Sequence, residues 1–201
     1  MIVHSISLPP GEYGGPAIDA FFLGRLDPSV HPYFEALRGL RVSAHFLIRR
    51  DGRVLQYVDG DRRAWHAGSS AWRGREGCND WSIGIELEGL EGTTFEGAQY
   101  ASLARLLRAL ARRYPLREVV GHEHVAPGRK QDPGPGFDWH RLRQLLRQCP
   151  VRLYGEGPDA MRPLARIRAE RDGKRRSAPG RATATRPSTR RKLVTQSPTA
   201  S

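Results

Sequence analysis

Residues 81–87 read WSIGIEL, a short run of apolar and β-branched residues that predicts a buried β-strand. Glu86 stands inside this run, and burying an ionised carboxylate among Ile and Leu is costly unless it is paired or functional. Glu88 has the same parity along the strand, so the two carboxylates are expected to share a face. This segment alone leaves two interpretations open: a functional carboxylate within a sheet, or an edge strand with a solvated acidic face.

Strand and helix patterns alternate on both sides of this segment. Strand patterns occur at residues 1–8, 42–49, 53–58 and 119–120, and helix patterns at 17–23, 32–40, 96–114 and 137–149. Asp51-Gly52 lies between two strand patterns and predicts a hairpin with a type I′ turn, in which both central residues have positive φ. Residues 59–80 and 121–136 are polar and rich in Gly or Pro, which predicts long loops. The alternation predicts a mixed α/β domain.

The positive charge of the chain is concentrated near its end. The 201-residue chain has a formal net charge of +12, yet residues 1–150 hold 20 Lys and Arg against 17 Asp and Glu, whereas residues 151–201 hold 13 against 4. From about Pro158 the composition shifts to Arg, Ala, Pro, Ser and Thr, which cannot bury enough surface to offset the entropy of ordering. We therefore expect one domain at residues 1–150 and a disordered basic extension at residues 151–201. Nucleic-acid binding is not expected, unless through this extension.

The cysteine content, the apolar segments and the first ten residues indicate where the protein is located. Cys78 and Cys149 are too few for a disulfide scaffold, and reduced thiols are expected. No segment approaches the roughly 20 apolar residues that a membrane-spanning helix needs. Residues 1–10 lack a basic n-region and Pro9-Pro10 interrupts the apolar run, so no signal peptide is predicted. We expect a cytoplasmic monomer without a membrane span.

Four further residues are of types that bind metals or stabilise negative charge. His4 lies inside the first strand pattern, His122 follows the pattern at 119–120, and Asp132 lies ten residues beyond His122. A catalytic zinc site needs about three such ligands and an open position for water. Ordinary roles remain open for each, since His4 could be a core histidine and His122 a surface residue. Lys130 could stabilise an oxyanion beside such a site, or simply be solvated.

Five separated motifs resemble one known family. They are HSISLPPGEYGG at 4–15, LRVSAHFLIRRDGRVLQYV at 40–58, AWHAG at 64–68, CNDWSIGIELEG at 78–89 and GHEHVAPGRKQDPGPGFDW at 121–139. Together they resemble the zinc-dependent N-acetylmuramoyl-L-alanine amidases, and most closely the branch that acts on cytoplasmic 1,6-anhydro-N-acetylmuramyl-peptides. The resemblance covers residues 1 to about 149 and implies a mixed central β-sheet flanked by helices, as in amidases and peptidoglycan-recognition proteins.

The resemblance also implies roles for individual residues. The family's zinc ligands match His4, His122 and Asp132. Its catalytic pair matches Glu86, which would move a proton from water to the leaving amine, and Lys130, which would hold the negative charge of the tetrahedral intermediate. Its substrate-contacting positions match Arg41, Trp65, His66 and Asn79.

The implied substrate is a muropeptide, cleaved between (1,6-anhydro-)N-acetylmuramic acid and L-alanine of the stem peptide during cell-wall recycling. Phe46 stands where lytic relatives tend to have a catalytic Tyr, which favours the recycling branch. Gly77 stands where the branch often has Arg, which would weaken peptide binding unless Arg75 substitutes. The alternative function is a peptidoglycan-fragment binding module without catalysis, although such relatives lose a zinc ligand. The sequence leaves open whether intact peptidoglycan is a substrate and whether the natural N-terminus lies upstream of Met1.

Overall fold

Eight strands and five helices make up residues 1–156, the part of the chain that the computed structural model describes. The strands are β1 (Ile2–Ile6), β2 (Phe46–Ile48), β3 (Val54–Gln56), β4 (Ala71–Trp72), β5 (Arg75–Glu76), β6 (Gly84–Glu88), β7 (Glu118–Gly121) and β8 (Arg152–Leu153). The helices are α1 (Ala17–Phe22), α2 (Pro32–Glu35), α3 (Gly97–Arg113), α4 (His122–Val125) and α5 (Trp139–Leu145).

Six of the strands form the central sheet, in the order β3-β2-β6-β1-β7-β8. Strand β3 runs antiparallel to β2, and the other neighbouring pairs are parallel. Strands β4 and β5 form a separate hairpin within the stretch predicted as one long loop at residues 59–80. The predicted mixed sheet flanked by helices is therefore confirmed.

One face of the sheet, here called the core face, is apolar. The central strands direct every second residue towards it, including Val3, Phe46 and Ile85, and these pack in one cluster with Leu103 and Leu107 of α3. Helix α5 joins the same cluster. Since full burial of such a side chain contributes about 1.5–3 kcal/mol, this cluster, the largest among residues 1–156, is a main source of stability.

The opposite face, here called the site face, carries the polar residues of the same strands. The parallel register places His4 beside Glu86, and Glu86 beside Leu47, so the three side chains project from the same face. Apolar packing on this side involves a smaller cluster in which Leu47 contacts residues such as Ile18 and Phe22.

Strand β6 is central, because it pairs with β1 on one side and β2 on the other. The interpretation of this segment as an edge strand with a solvated acidic face is therefore wrong. Glu88 does share the site face with Glu86, but it is buried and accepts a 2.6 Å hydrogen bond from Nη1 of Arg49. Arg49 also donates to Asp19, so the second carboxylate of the strand is part of a buried ion-pair network.

The hairpin between β2 and β3 forms as predicted, but its turn is of another type. Of the two residues Asp51 and Gly52, only Gly52 has a positive φ, at 87°. The Gly52 N–H donates to the Arg49 carbonyl at 2.8 Å, and the Arg49 N–H donates to the Arg53 carbonyl at 2.9 Å. This pattern fits a type I turn followed by a left-handed glycine, so the predicted type I′ turn is wrong.

Two further segments differ from the sequence prediction. Residues 122–125 leave the strand direction and form α4, because Nδ1 of His124 accepts the Gly121 N–H at 2.8 Å and begins a helical turn. Strand β8 lies inside the predicted basic extension and pairs with β7. It forms although the composition around it is basic, because Val151 and Leu153 are buried. The domain boundary predicted after residue 150 thus falls before the last strand, and the extension from residue 157 lies outside the described residues.

The described helices include none that is both long enough and apolar enough to span a membrane. The longest, α3, has 17 residues and buries one apolar side. Cys78 and Cys149 are both free thiols, as predicted.

Candidate metal centre and catalytic site

Three side-chain atoms converge on the site face. Nδ1 of His4 lies 2.9 Å from Nδ1 of His122. Oδ2 of Asp132 lies 3.2 Å from the first of these atoms and 3.1 Å from the second. All three residues are buried, with exposed fractions of 1%, 4% and 7%. The structure therefore brings together the three residues that the sequence predicted as ligands.

Each of the three residues comes from a different element around β1 and β7. His4 lies on β1, between β6 and β7, and His122 is the first residue of α4, directly after β7. Asp132 lies in the following loop, which is tied back to α4 because its carbonyl accepts the Glu123 N–H at 2.9 Å. The neighbouring parallel strands thus fix the two histidines, and this backbone bond brings in the carboxylate.

The Nε2 atoms of His4 and His122, on the opposite side of each ring from Nδ1, contact other groups. Nε2 of His122 donates to the carbonyl of Ala67 at 3.1 Å, because a carbonyl oxygen can only accept. Nε2 of His4 lies 3.0 Å from Nδ1 of His66. The Ser82 hydroxyl donates to Cys78 and faces Nε2 of His66, so His66 carries its proton there and its Nδ1 accepts from His4.

These contacts determine what the site can hold. With Nε2 as the donor in both rings, the two Nδ1 lone pairs face each other and the carboxylate, an arrangement that a cation between them stabilises. Zinc bonds of about 2.0–2.1 Å place tetrahedral ligand atoms about 3.3 Å apart, close to the observed separations. Two imidazoles and one carboxylate are also a donor set of catalytic zinc sites, in which a fourth position stays open. The residues therefore fit Zn²⁺.

The charges of the three groups suit this arrangement. Burial lowers the pKa of His4 to about 4, which keeps its ring neutral and able to bind a metal. Burial alone would raise the pKa of Asp132, but its contacts with His122 and His4 outweigh that effect and hold the pKa well below its usual range. A neutral His4 ring beside the ionised carboxylate of Asp132 is thus the favoured state.

Glu86 lies beside this group, since its Cα is the register partner of His4 on the neighbouring strand. Its Oε2 is buried and has no hydrogen-bond partner within residues 1–156. Burial, and secondarily the charge of Asp132, raise the pKa of Glu86 well above its ordinary value, whereas Lys130 acts in the opposite direction. A buried carboxyl with a raised pKa next to a metal site is a candidate general base and acid. Lys130 is exposed at the rim of the site.

Two of the predicted substrate-contacting residues line an open groove. Arg41 is exposed and Trp65 is 54% exposed, and both line a groove of about 530 Å³ with α1 and the segment after α2. The guanidinium of Arg63 stacks on the Trp65 ring, 3.6 Å from its centroid. The groove therefore offers a cation and an aromatic face to a ligand.

The other two predicted contact residues, His66 and Asn79, are buried and do not line this groove. His66 is engaged by His4, and Oδ1 of Asn79 accepts the N–H groups of His66 and Ala67. Both His66 nitrogens and Oδ1 of Asn79 thus contact the protein itself, and the predicted contacts of these residues with substrate stay predictions.

Sequence reasoning missed several residues that surround the site. Arg129 donates to the carbonyls of Ala67 and Ser69, at 2.6 Å and 2.8 Å. His45 is buried, accepts the Gly84 N–H at Nδ1 and donates to the Arg62 carbonyl. The one usable signal was the placement of His45 and Arg129 within motifs that also hold predicted site residues. A backbone carbonyl such as that of Ala67 has no sequence signature.

The chain is similar to known amidases in sequence and structure. It is 58% identical over 148 residues to the 1,6-anhydro-N-acetylmuramyl-L-alanine amidase AmpD of Citrobacter freundii, covering 73% of this chain and 79% of that protein. It is similar to a crystal structure of selenomethionine AmpD, with a TM-score of 0.69 and 58% identity over 72% of this chain and 82% of that chain.

A third similarity is to a ligand-bound structure. AmiD of Escherichia coli, in complex with anhydro-N-acetylmuramic acid-L-Ala-D-γ-Glu-L-Lys, matches with a TM-score of 0.53 and 33% identity, over 72% of this chain and 55% of that chain. Residues 17–135 match the N-acetylmuramoyl-L-alanine amidase family directly. On these findings, the chain belongs to the N-acetylmuramoyl-L-alanine amidase family.

Proposed function

We propose that this chain is a zinc-dependent amidase that hydrolyses the bond between 1,6-anhydro-N-acetylmuramic acid and L-alanine of the stem peptide, in peptidoglycan recycling. The observation that carries the proposal is the convergence of His4, His122 and Asp132 next to Glu86, whose Oε2 has no hydrogen-bond partner in the described part of the chain. The names of the AmpD relatives and the muropeptide bound to AmiD support this substrate.

Zn²⁺ would be held by His4, His122 and Asp132. As a Lewis acid, it would activate water and polarise the scissile carbonyl. Glu86 accepts a proton from the attacking water and passes it to the leaving amine as the C–N bond breaks. Its raised pKa suits both steps, because the carboxyl can hold the proton between them. The ammonium of Lys130 stabilises the negative charge on the carbonyl oxygen.

Arg41 and Trp65 are proposed to bind the substrate in the groove. The Arg41 guanidinium would pair with a stem-peptide carboxylate, and the Trp65 ring would pack against the apolar surface of the muropeptide. The groove borders the loop that begins with Trp65 and continues to His66, which contacts His4. A bound peptide would thus extend from the groove towards the candidate metal centre.

The alternative of a non-catalytic peptidoglycan-binding module receives no support from the described residues, in which all three predicted ligands and Glu86 are retained. The cytoplasmic location and the monomeric state stay predictions, as does the division into a domain and a basic extension. Nucleic-acid binding through the extension concerns residues outside those described.

The experiment is an assay of the purified chain on anhydromuramyl-tripeptide and on intact sacculi. We expect about one zinc per chain, release of free tripeptide from the anhydro substrate, loss of activity with a chelator, and recovery with Zn²⁺ but not Mg²⁺. Full activity in the metal-free chain would contradict the proposal. Tight fragment binding without turnover, despite bound zinc, would favour the binding module.

A further inference from the structure

One short loop segment contacts both histidines of the candidate metal centre. His66 accepts from Nε2 of His4, and the adjacent carbonyl of Ala67 accepts from Nε2 of His122. We propose that Asn79 and His66 are positioning residues that set the tautomer and orientation of both histidine ligands, rather than substrate contacts. This inference rests on the zinc site of the proposed function.

The contact between His66 and His4 is buried and tightly enclosed. The His66 ring meets the His4 ring edge-on, with 5.1 Å between centroids. A Cβ built on Gly84 would lie 2.4 Å from Cγ of His66, so the ring packs directly over the backbone of β6. Because any side chain at position 84 would collide with this ring, glycine is needed there for His66 to reach His4.

The contact between Ala67 and His122 is reinforced from the other side. Nη2 of Arg129 donates to the same Ala67 carbonyl at 2.6 Å and to the Ser69 carbonyl at 2.8 Å. The carbonyl therefore has a fixed direction, which in turn fixes the plane of the His122 ring.

Asn79 connects the two contacts. Its Oδ1 accepts the His66 N–H at 3.0 Å and the Ala67 N–H at 2.7 Å, and the side chain is buried. A single amide oxygen thus holds the backbone of both residues that accept from the ligand rings. Partners of this kind fix a metal-binding histidine in the required tautomer, and removing them typically costs about 10–100-fold in metal affinity or activity.

Two pairs of variants test this role. Asn79→Asp keeps an oxygen acceptor at the same place, whereas Asn79→Leu keeps a similar volume without one. His66→Asn keeps an acceptor near Nδ1, whereas His66→Phe keeps a ring over Gly84 without one. Ser102→Ala, which removes a buried hydrogen bond to Gly52 on the other side of the sheet, controls for loss of stability alone.

Zinc affinity is measured by competition with a chelator, and the tautomers of His4 and His122 by imidazole ¹⁵N NMR of the zinc-loaded chain. We expect Asn79→Leu and His66→Phe to bind zinc about 10–100-fold more weakly and to lose the uniform Nε2–H tautomer. Asn79→Asp, His66→Asn and Ser102→Ala should stay within a few-fold of the unsubstituted chain.

Unchanged zinc affinity and tautomers in both Leu and Phe variants would overturn the inference, as would equal losses in each matched pair. If Asn79→Leu does not fold, the His66 pair decides alone. A folded wild-type chain that binds no zinc would instead contradict the proposed function, and with it the site on which this inference rests.

Discussion

The two faces of the central sheet are built from the same strands but serve different purposes. On β6, Ile85 points to the core face and packs against α3, while the adjacent Glu86 points to the site face and has an oxygen without a partner among the described residues. On β1, Val3 and His4 divide in the same way. The period of two along a strand therefore separates stability from chemistry by a single residue.

This division explains how the site can be costly and still persist. The site face is destabilised by the Glu86 carboxyl, whose Oε2 has no hydrogen-bond partner among residues 1–156, and by buried histidines such as His4 and His66, because burial disfavours polar groups. The apolar cluster on the core face offsets this cost. Substitutions on the site face should therefore mainly change catalysis, and substitutions on the core face should mainly change stability.

The largest expected effect is on catalysis, from Glu86→Gln. We expect kcat to fall by about 10²–10⁴-fold, because the amide cannot carry the proton from water to amine. Stability should stay equal or increase, since a buried carboxyl is replaced by a neutral group. Steady-state kinetics with zinc present and the thermal midpoint of the same samples check both parts. Activity within tenfold of wild type, or a large loss of stability, would contradict the separation of catalysis and stability between the two faces.

The neighbouring residue should give the opposite result. Ile85→Ala removes a fully buried side chain from the core face and should lower the free energy of unfolding by about 2–5 kcal/mol. The kcat of the remaining folded protein should change little. Urea unfolding and zinc-loaded kinetics at low temperature measure the two quantities. A kcat reduced as strongly as in Glu86→Gln would show that the faces are not separable.

The pH dependence of stability should arise on the site face. Burial lowers the pKa of His4 to about 4 and that of His66 well below its usual range, whereas both titrate near 6.5 when unfolded. Between these values the unfolded state binds more protons at these two histidines, so their contribution to the free energy of unfolding falls as pH falls from about 6.5 to 4. For His4 the loss is up to about 3 kcal/mol.

Urea unfolding of the zinc-free chain at pH 7 and pH 4.5 tests this slope. His4→Asn should flatten the profile, while the core-face variant Ile85→Ala should keep the wild-type slope from a lower starting value. A His4→Asn profile with the same slope as the unsubstituted chain would contradict the assignment of a neutral buried His4.

The smallest expected effect comes from Gly84→Ala. The added methyl would overlap the His66 ring, and overpacking of this kind typically costs about 1–3 kcal/mol. Because the ring must move away from His4, zinc affinity should fall together with stability. Unfolding and chelator competition on the same variant measure both. A loss of stability with unchanged zinc affinity would separate the ring's packing from its role towards the ligand.

The sequence predicted the elements better than their junctions. The sequence predicted β1, β6 and α3, because burial on one face gives apolar residues a regular spacing. The hairpin turn was wrong because Asp-Gly fits more than one turn type, and only Gly52 takes positive φ. Strand β8 was missed because Val151 and Leu153 are too few to stand out in a basic segment.

The candidate site was predicted through family resemblance rather than spacing. His4 and Glu86 become neighbours only through the register of β1 on β6, which no local pattern encodes. The ligand set was found because its motifs are distinctive. The positioning role proposed for His66 and Asn79 was not predicted, because the sequence pattern is the same whether a residue contacts a ligand ring or the substrate.

We propose that the site face holds one zinc ion through His4, His122 and Asp132. The most direct test is zinc stoichiometry combined with X-ray absorption spectroscopy of the zinc-loaded chain. We predict one zinc per chain with two imidazole nitrogens and light-atom ligands only, and loss of this signal in Asp132→Ala. Zinc bound through sulfur, or binding that is unchanged in Asp132→Ala, would contradict the account.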